Sequence, residues 1–260
     1  MPSNRPAVCL VIGAGSGIGS HVGRRFSSDG YHACLCRRTD SVALQQTVRD
    51  IIKSGGLASG FLLDVTKPGA IEDMVREIES RLGPIKVAVW NLGAQIGDKD
   101  LSSTTEKQFD LGWRLGCLGL FRLSKILLPL MADRESGGTL LVTSSTSALR
   151  GNAGQHSHAS AMGGRRMLCQ TLNAEFAGRG VHVSHVVVDG AVDSPDTLGK
   201  MIGPKAFRKL REGGGCAHRL IDPKAIAETF WYLAHQHPSA WTFELDLRSR
   251  EDVAWWNSRL

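Results

Sequence analysis

The sequence predicts an α/β fold: a doubly wound parallel sheet of about seven strands with helices on both faces, three layers deep. Three observations predict it. Short apolar runs of strand length recur seven times along the 260 residues. They are continuous rather than alternating, as in strands buried on both faces. Segments with helical spacing separate them with short connections, so strand and helix alternate about six times. No internal repeat, low-complexity tract or linker interrupts the pattern, and one domain over 1–260 is expected.

Taken in order, the first strand is AVCLVIG (7–13), which runs into glycines. A helical stripe of Ile18, Val22 and Phe26 follows. HACLC (32–36) is the second strand and GFLLDV (60–65) the third. The next helix is the most legible. Thr66 is read as its N-cap and Pro68 as first-turn. Ile71, Met74, Val75, Ile78 and Leu82 form its i, i+3, i+4 face, and Gly83-Pro84 stop it. KVAVWN (86–91), TLLVTSS (139–145), VHVSHVVVDG (181–190) and WTFELDL (241–247) complete the strands.

Apolar residues make up 42% and charged residues 22%, ordinary for a globular protein, and the net charge is +6. The Lys and Arg residues are scattered. Without a basic aromatic patch, that charge suits a small anionic ligand and leaves nucleic acid unsupported. Six cysteines (Cys9, Cys34, Cys36, Cys117, Cys169, Cys216) show no metal spacing and are read as reduced thiols. Cys34 and Cys36, two apart on a strand, are expected to point to opposite faces. The start, MPSNRPAVCLVIGAG, is read as neither signal peptide nor membrane span. A cytoplasmic protein with a small-molecule substrate is expected.

The chemistry concentrates at strand ends. GAGSGIG (13–19) follows the first strand and opens the first helix. Glycines there let backbone N–H groups approach a pyrophosphate at a helix N-terminus. Asp64-Val65 closes the third strand and NLGA (91–94) the fourth. Together these landmarks resemble the short-chain dehydrogenase/reductase family over nearly the whole chain. The family's T-G-x-x-x-G-x-G carries Ile12 here in place of its Thr. The resemblance implies a Rossmann-type sheet. It assigns Gly13, Ser16, Gly17, Ile18 and Gly19 to the dinucleotide, Asp64 and Val65 to its adenine, and Asn91 and Gly93 to the family's N-N-A-G. In VVVDGAVDS (186–194), similar to the family's P-G-x-x-x-T loop, Asp189 replaces the Pro. Val192 and Ser194 would contact the carboxamide.

At the end of the second strand, where an acid would hold a ribose 2′-hydroxyl, the chain reads CLCRRTD. Arg37 stands in the acid's place and Arg38 follows. Two guanidiniums bind a 2′-phosphate by charge-assisted hydrogen bonds where a carboxylate would repel it. NADP(H) is therefore the expected cofactor. Asp40, three residues on, is the rival acid.

The family's Ser, Tyr, Lys and Asn map by position onto Ser145, His158, Met162 and Gly116, so the Ser-Tyr-Lys motif is degenerate. General acid–base catalysis contributes about 10²–10⁴-fold. Without Tyr and Lys, ordinary ketone reduction should be slow unless His158 replaces the acid. Arg165 and Arg166, one turn further on, are the nearest cations in the chain. The segment 195–220, with Lys200, Lys205, Arg208, Lys209, Arg211 and EGGGC (212–216), matches the family's substrate lid. Trp255 and Trp256 are apolar enough to cap a pocket or meet a neighbouring subunit. In the family that the chain resembles, the helices matching 105–132 and 155–178 pair between subunits, and both carry broad apolar faces here, so the resemblance implies a homo-oligomer, dimer or tetramer. Three readings follow: an NADPH-dependent biosynthetic reductase of an iminium or activated carbonyl, with Ser145 and His158 catalytic; a non-catalytic cofactor binder; or a redox-free isomerase or cyclase, including one that guides a cycloaddition.

Overall fold

Alternate residues of the central strands part to opposite faces of one sheet. In the computed structural model, which describes residues 5–93, 96, 100–212 and 220–257, seven strands form it. These are β1 (Val8–Ile12), β2 (His32–Arg37), β3 (Leu57–Leu62), β4 (Ile85–Trp90), β5 (Gly138–Ser145), β6 (Val181–Val188) and β7 (Glu244–Leu247). All pairs are parallel, in the order β3-β2-β1-β4-β5-β6-β7. The helices are α1 (Ile18–Ser27), α2 (Ser41–Lys53), α3 (Ala70–Arg81), α4 (Glu106–Trp113), α5 (Gly119–Ala132), α6 (His156–Phe176), α7 (Lys200–Ile202), α8 (Pro204–Glu212) and α9 (Pro223–Ala234). The predicted doubly wound, three-layer architecture is the one observed.

Two apolar clusters sandwich the sheet. Val8, Leu10 and Ile12 of β1 pack with Ile71 and Ile78 of α3, Leu123 and Leu127 of α5, and Leu172 of α6. Cys9 and Val11 pack on the other side with Phe26 of α1, Leu44 of α2 and Phe230 of α9. This is the period-two alternation of a strand. Glu106–Ala132 is the one described helical run apolar enough to cross a membrane. Its α5 part instead buries Leu120, Leu123, Leu127, Leu128 and Met131 against the sheet.

Several expectations need correction. Cys34 and Cys36 share one face and one cluster, because residues i and i+2 of a strand point the same way. Burial pushes the Cys34 thiol up to about 12 and Cys36 well above its ordinary value, so both stay protonated. The five described cysteines are free and buried, and Cys216 lies outside the described residues. The third strand begins three residues earlier than its apolar run and ends before it. As an edge strand paired only to β2, β3 is half-exposed and need not be apolar throughout. Asp64 ends that stretch by accepting the Thr66 N–H at 3.0 Å and its hydroxyl at 2.7 Å. Thr66 is thereby used, and α3 starts later behind Gly69 at φ 79°. β7 is shorter than WTFELDL, since Trp241 stacks on His182 at 5.0 Å outside the strand.

The winding reverses between β1 and β4, where helices on opposite faces diverge and leave a crevice at the carboxyl ends of the strands.

Candidate active site

A trough runs along that crevice as two adjoining cavities of about 330 and 370 Å³, sharing Gly13, Gly15, Asn91, Leu92 and Gly93. Gly13 turns the chain out of β1 at φ +99°, a left-handed conformation that favours glycine. The Asn91 side-chain N–H clamps the Gly13 carbonyl at 2.9 Å. α1 then starts at Ile18 with no side-chain cap and no acid in its first turn, so its N-terminal N–H groups and dipole are left to an anion.

The cavity at the β2 end is lined by Arg37, Arg38, Thr39, Asp64, Val65, Asp196 and Lys200. Arg37 reaches Asp40 at 3.4 Å and Asp196 at 3.1 Å. Asp40, the rival acid, caps α2 by accepting the Ala43 N–H. Asp64 is held below the usual carboxylate range chiefly by the Thr66 hydroxyl.

The cavity at the β5 end holds Gly17, Ile18, Gly19, Ser145, His158, Met162, Arg165, Val192 and Ser194 among its lining. Ser145 Oγ lies 3.2 Å from His158 Nε2, bridging the end of β5 to the first turn of α6. Met162 is buried, and its sulfur packs 4.0 Å from Ser144 Oγ. Arg165, one turn on, is 1% exposed. Its Nε donates to the Gly116 carbonyl at 2.7 Å, Nη1 to Thr143 at 2.6 Å and Nη2 to Leu92 at 2.8 Å. Gly116 belongs to a π-helical turn, Arg114–Leu118, between α4 and α5. Such turns recur at functional sites. Burial lowers the guanidinium to about 10, which still leaves it charged at neutral pH. The site therefore carries a buried cation held by carbonyl dipoles.

Every predicted site residue except Ser16 lines the trough: Gly13, Gly17, Ile18, Gly19, Arg37, Arg38, Asp64, Val65, Asn91, Gly93, Ser145, His158, Val192 and Ser194. Ser16 is engaged by Asp196. Its N–H donates to Asp196 Oδ2 at 2.9 Å, and its hydroxyl accepts the Asp196 N–H at 3.1 Å. Ala94 of the NLGA stretch and the glycines of EGGGC lie outside the described residues. The lid's described part is helical: a π-turn over Pro195–Gly199, then α7 and α8. Of its cations, Lys200 meets Asp196 and Arg211 meets Asp193. Arg166 points away from the trough, to a bidentate pair with Glu244 on β7. Asp189 accepts from Arg248 and from the Trp255 N–H, and neither Trp255 nor Trp256 lines either cavity. Sequence reasoning missed Asp196. One of only two acids, with Glu212, in an otherwise basic segment, it was the available signal.

The trough fits a dinucleotide on three observations. The α1 N-terminus is uncapped. A Cβ added at Gly93 would meet nothing within 4 Å, so backbone alone borders open space there. The basic end already seats an anionic carboxylate on Ser16, Arg37 and Lys200.

Comparison with known proteins agrees with the geometry. The family described as Enoyl-(Acyl carrier protein) reductase matches residues 13–244. The chain is 28% identical to "Uncharacterized oxidoreductase YxbG" of Bacillus subtilis over 93% of this chain and 88% of that one. It is 26% identical to the 3-oxoacyl-[acyl-carrier-protein] reductase FabG of Thermotoga maritima, over 89% and 92%. Among solved structures, an alcohol dehydrogenase from the archaeon Thermococcus sibiricus, complexed with 5-hydroxy-NADP, superposes with a TM-score of 0.80. It shares 26% identity, over 95% of this chain and 98% of that one. With seven parallel strands in this order and a glycine turn at their switch point, the chain belongs to the short-chain dehydrogenase/reductase family of NAD(P)-dependent oxidoreductases.

Proposed function

We propose that the chain is an NADPH-dependent reductase of activated carbonyl compounds, with Ser145 and His158 serving as its proton-delivery pair. The observation that carries this reading is the 3.2 Å contact between Ser145 Oγ and His158 Nε2 in the cavity that also holds the buried Arg165. Arg37 and Arg38 select the 2′-phosphate. Gly13, Ser16, Gly17, Ile18 and Gly19 take the pyrophosphate side. Asp64 and Val65 would hold the adenine, Asn91 and Gly93 would line the middle of the cofactor's path, and Val192 and Ser194 would contact the carboxamide. The whole chain forms this unit, with 195–220 as its lid.

When bound, NADPH supplies the hydride. The Ser145 hydroxyl donates to the carbonyl oxygen, which gains negative charge as its carbon is reduced. An imidazolium at His158 passes its proton through that hydroxyl to the oxygen and becomes neutral imidazole. Arg165 tilts the choice of substrate. A fixed cation in the same cavity favours a substrate oxygen that becomes anionic. Apolar Met162 adds no second charge.

The chain also works as a homo-oligomer. Phe109, Trp113 and Phe121 follow one another at helical spacing along α4 and α5, and all are exposed, as is Met167 on α6. An apolar stripe of that size is unfavourable in water.

The deciding experiment follows NADPH absorbance with simple ketones, 1,2-dicarbonyls and cyclic imines. Oxidation of NADPH by dicarbonyls well above the others is expected. NADPH that binds but is consumed with none of them would overturn the reading in favour of a non-catalytic cofactor binder. Conversion of a substrate with no change in absorbance would favour a redox-free enzyme.

A further inference from the structure

We infer that Asp196 is a cofactor-specificity determinant: its carboxylate holds the seat of the 2′-phosphate until NADPH displaces it. The inference rests on the proposed NADPH dependence and concerns a residue outside the expected cofactor set.

The seat is built from three separate parts of the chain. Ser16 of the glycine turn gives a backbone N–H at 2.9 Å, Arg37 at the end of β2 gives Nη2 at 3.1 Å, and Lys200 gives its ammonium at 3.3 Å. All three converge on one carboxylate, 180 residues from Ser16. Burial raises the Asp196 carboxyl, but the Ser16 N–H, Lys200 and Arg37 outweigh it and hold it below the usual carboxylate range. It is an anion at neutral pH.

The strap that delivers it lies across the trough. Asp196 and Lys200, one helical turn apart, line the Arg37 end, whereas Thr197, Leu198 and Met201 line the Ser145 end. The strap is also seated on the glycine turn: a Cβ at Gly17 would come within 2.7 Å of Ser194 Oγ.

Charge then decides which dinucleotide displaces the carboxylate. A phosphomonoester carries about −1.5 to −2 charges at pH 7 and three acceptor oxygens, so it outcompetes one carboxylate for Arg37 and Lys200. The 2′-hydroxyl of NADH carries no charge and offers no comparable exchange. Asp196 therefore opposes NADPH selectively: NADH leaves the carboxylate in its seat, whereas NADPH must break its contacts with Ser16, Arg37 and Lys200, so the carboxylate narrows the preference that Arg37 and Lys200 create.

The test is equilibrium binding of NADPH, NADH and 2′,5′-ADP to the parent protein and to Asp196→Asn, Asp196→Ala and Asp196→Glu. A charge-assisted hydrogen bond to the seat is worth roughly tenfold in affinity. Asn and Ala should therefore tighten NADPH and 2′,5′-ADP by about tenfold. NADH should move by less than about twofold, and Glu, which keeps the charge, should stay close to the parent. Unchanged or weaker NADPH binding by both Asn and Ala variants, with the parent binding NADPH, would overturn the inference and leave the NADPH reading intact. Loss of NADH affinity alone would make Asp196 a ribose ligand and equally overturn it. A Glu variant that behaves like Asn would assign the effect to packing rather than charge. Failure of every form to bind NADPH would remove the functional reading and the inference with it.

Discussion

The two ends of the trough solve opposite electrostatic problems. At the β2 end the charges are partly exposed and exchangeable: Arg37 contacts Asp40 and Asp196 together, and Lys200 is largely in solvent. At the β5 end one charge is sealed. Arg165 is fully buried and held by three backbone carbonyls, with no carboxylate among the described residues in contact. Paired surface charges are each worth about 1 kcal/mol or less and can be traded for a ligand's charge. A sealed cation cannot be traded, so it acts as a fixed field on whatever reacts beside it. The binding end of this molecule is thus built to exchange partners and the reacting end to hold still.

Breaking the reacting end should have the largest effect. His158→Ala should lower turnover of the activated carbonyl by about 10²-fold or more with NADPH affinity little changed. Equal turnover by parent and variant across pH 6 to 8 would remove His158 from proton delivery. Conversely, His158→Tyr with Met162→Lys should improve reduction of simple ketones only when Arg165 is also neutralised. A new ammonium one turn from a buried guanidinium repels it at low dielectric. The double variant outperforming the triple would show that the two cations coexist.

Next in size is the sealed charge itself. Arg165→Met strands the carbonyls of Leu92, Thr143 and Gly116. At about 1–3 kcal/mol for each buried group left unsatisfied, the loss in stability should be several kcal/mol. Arg165→Lys should recover only part of it. Denaturant melts of both variants measure this, and a Met variant as stable as the parent would contradict the sealed-charge account.

The anchor of α6 adds a pH dependence of similar size. Arg166 binds Glu244, which also contacts His185 Nδ1 at 3.1 Å. Burial holds His185 at about 4, below its ordinary 6.5, despite the Glu244 charge. The unfolded chain therefore takes up this proton first. Stability is full above about pH 6.5 and falls as the pH drops toward about 4, by up to roughly 3 kcal/mol. Thermal melts from pH 7 to 4.5 should show that slope, and His185→Gln should flatten it.

The exchangeable end should respond least in energy and most in selectivity. Arg37→Asp should reverse the cofactor preference toward NADH, a swing of about 1–3 kcal/mol for one charged contact. Equal affinity of the parent for both cofactors would refute the role given to Arg37.

The buried strands were legible because burial on both faces leaves continuous apolar runs, and β1, β2, β4, β5 and β6 lie within a residue or two of those runs. The stripe of α3 was equally legible, since one buried face repeats at the helical period. β3 was misplaced because an edge strand has only one neighbour and half its surface in water. Thr66 was misread because a hydroxyl and N–H that serve a turn look, in sequence, like a helix cap.

The sequence by itself determined the fold class and the strand-end and glycine-turn residues that line part of the trough, since strand ends and turns are local properties written in short stretches. Only the tertiary structure decided the partners of the charged groups. Arg165 and Arg166 are neighbours in sequence, yet the helix turns about 100° per residue. One enters the reacting end and the other meets β7. Asp196 meets Ser16 and Arg37 only because the parallel strands end along one edge and the segment after β6 crosses back along it, past β5 and β4, to the ends of β1 and β2. Electrostatic pairing depends on distance in space, and no spacing along the chain encodes it.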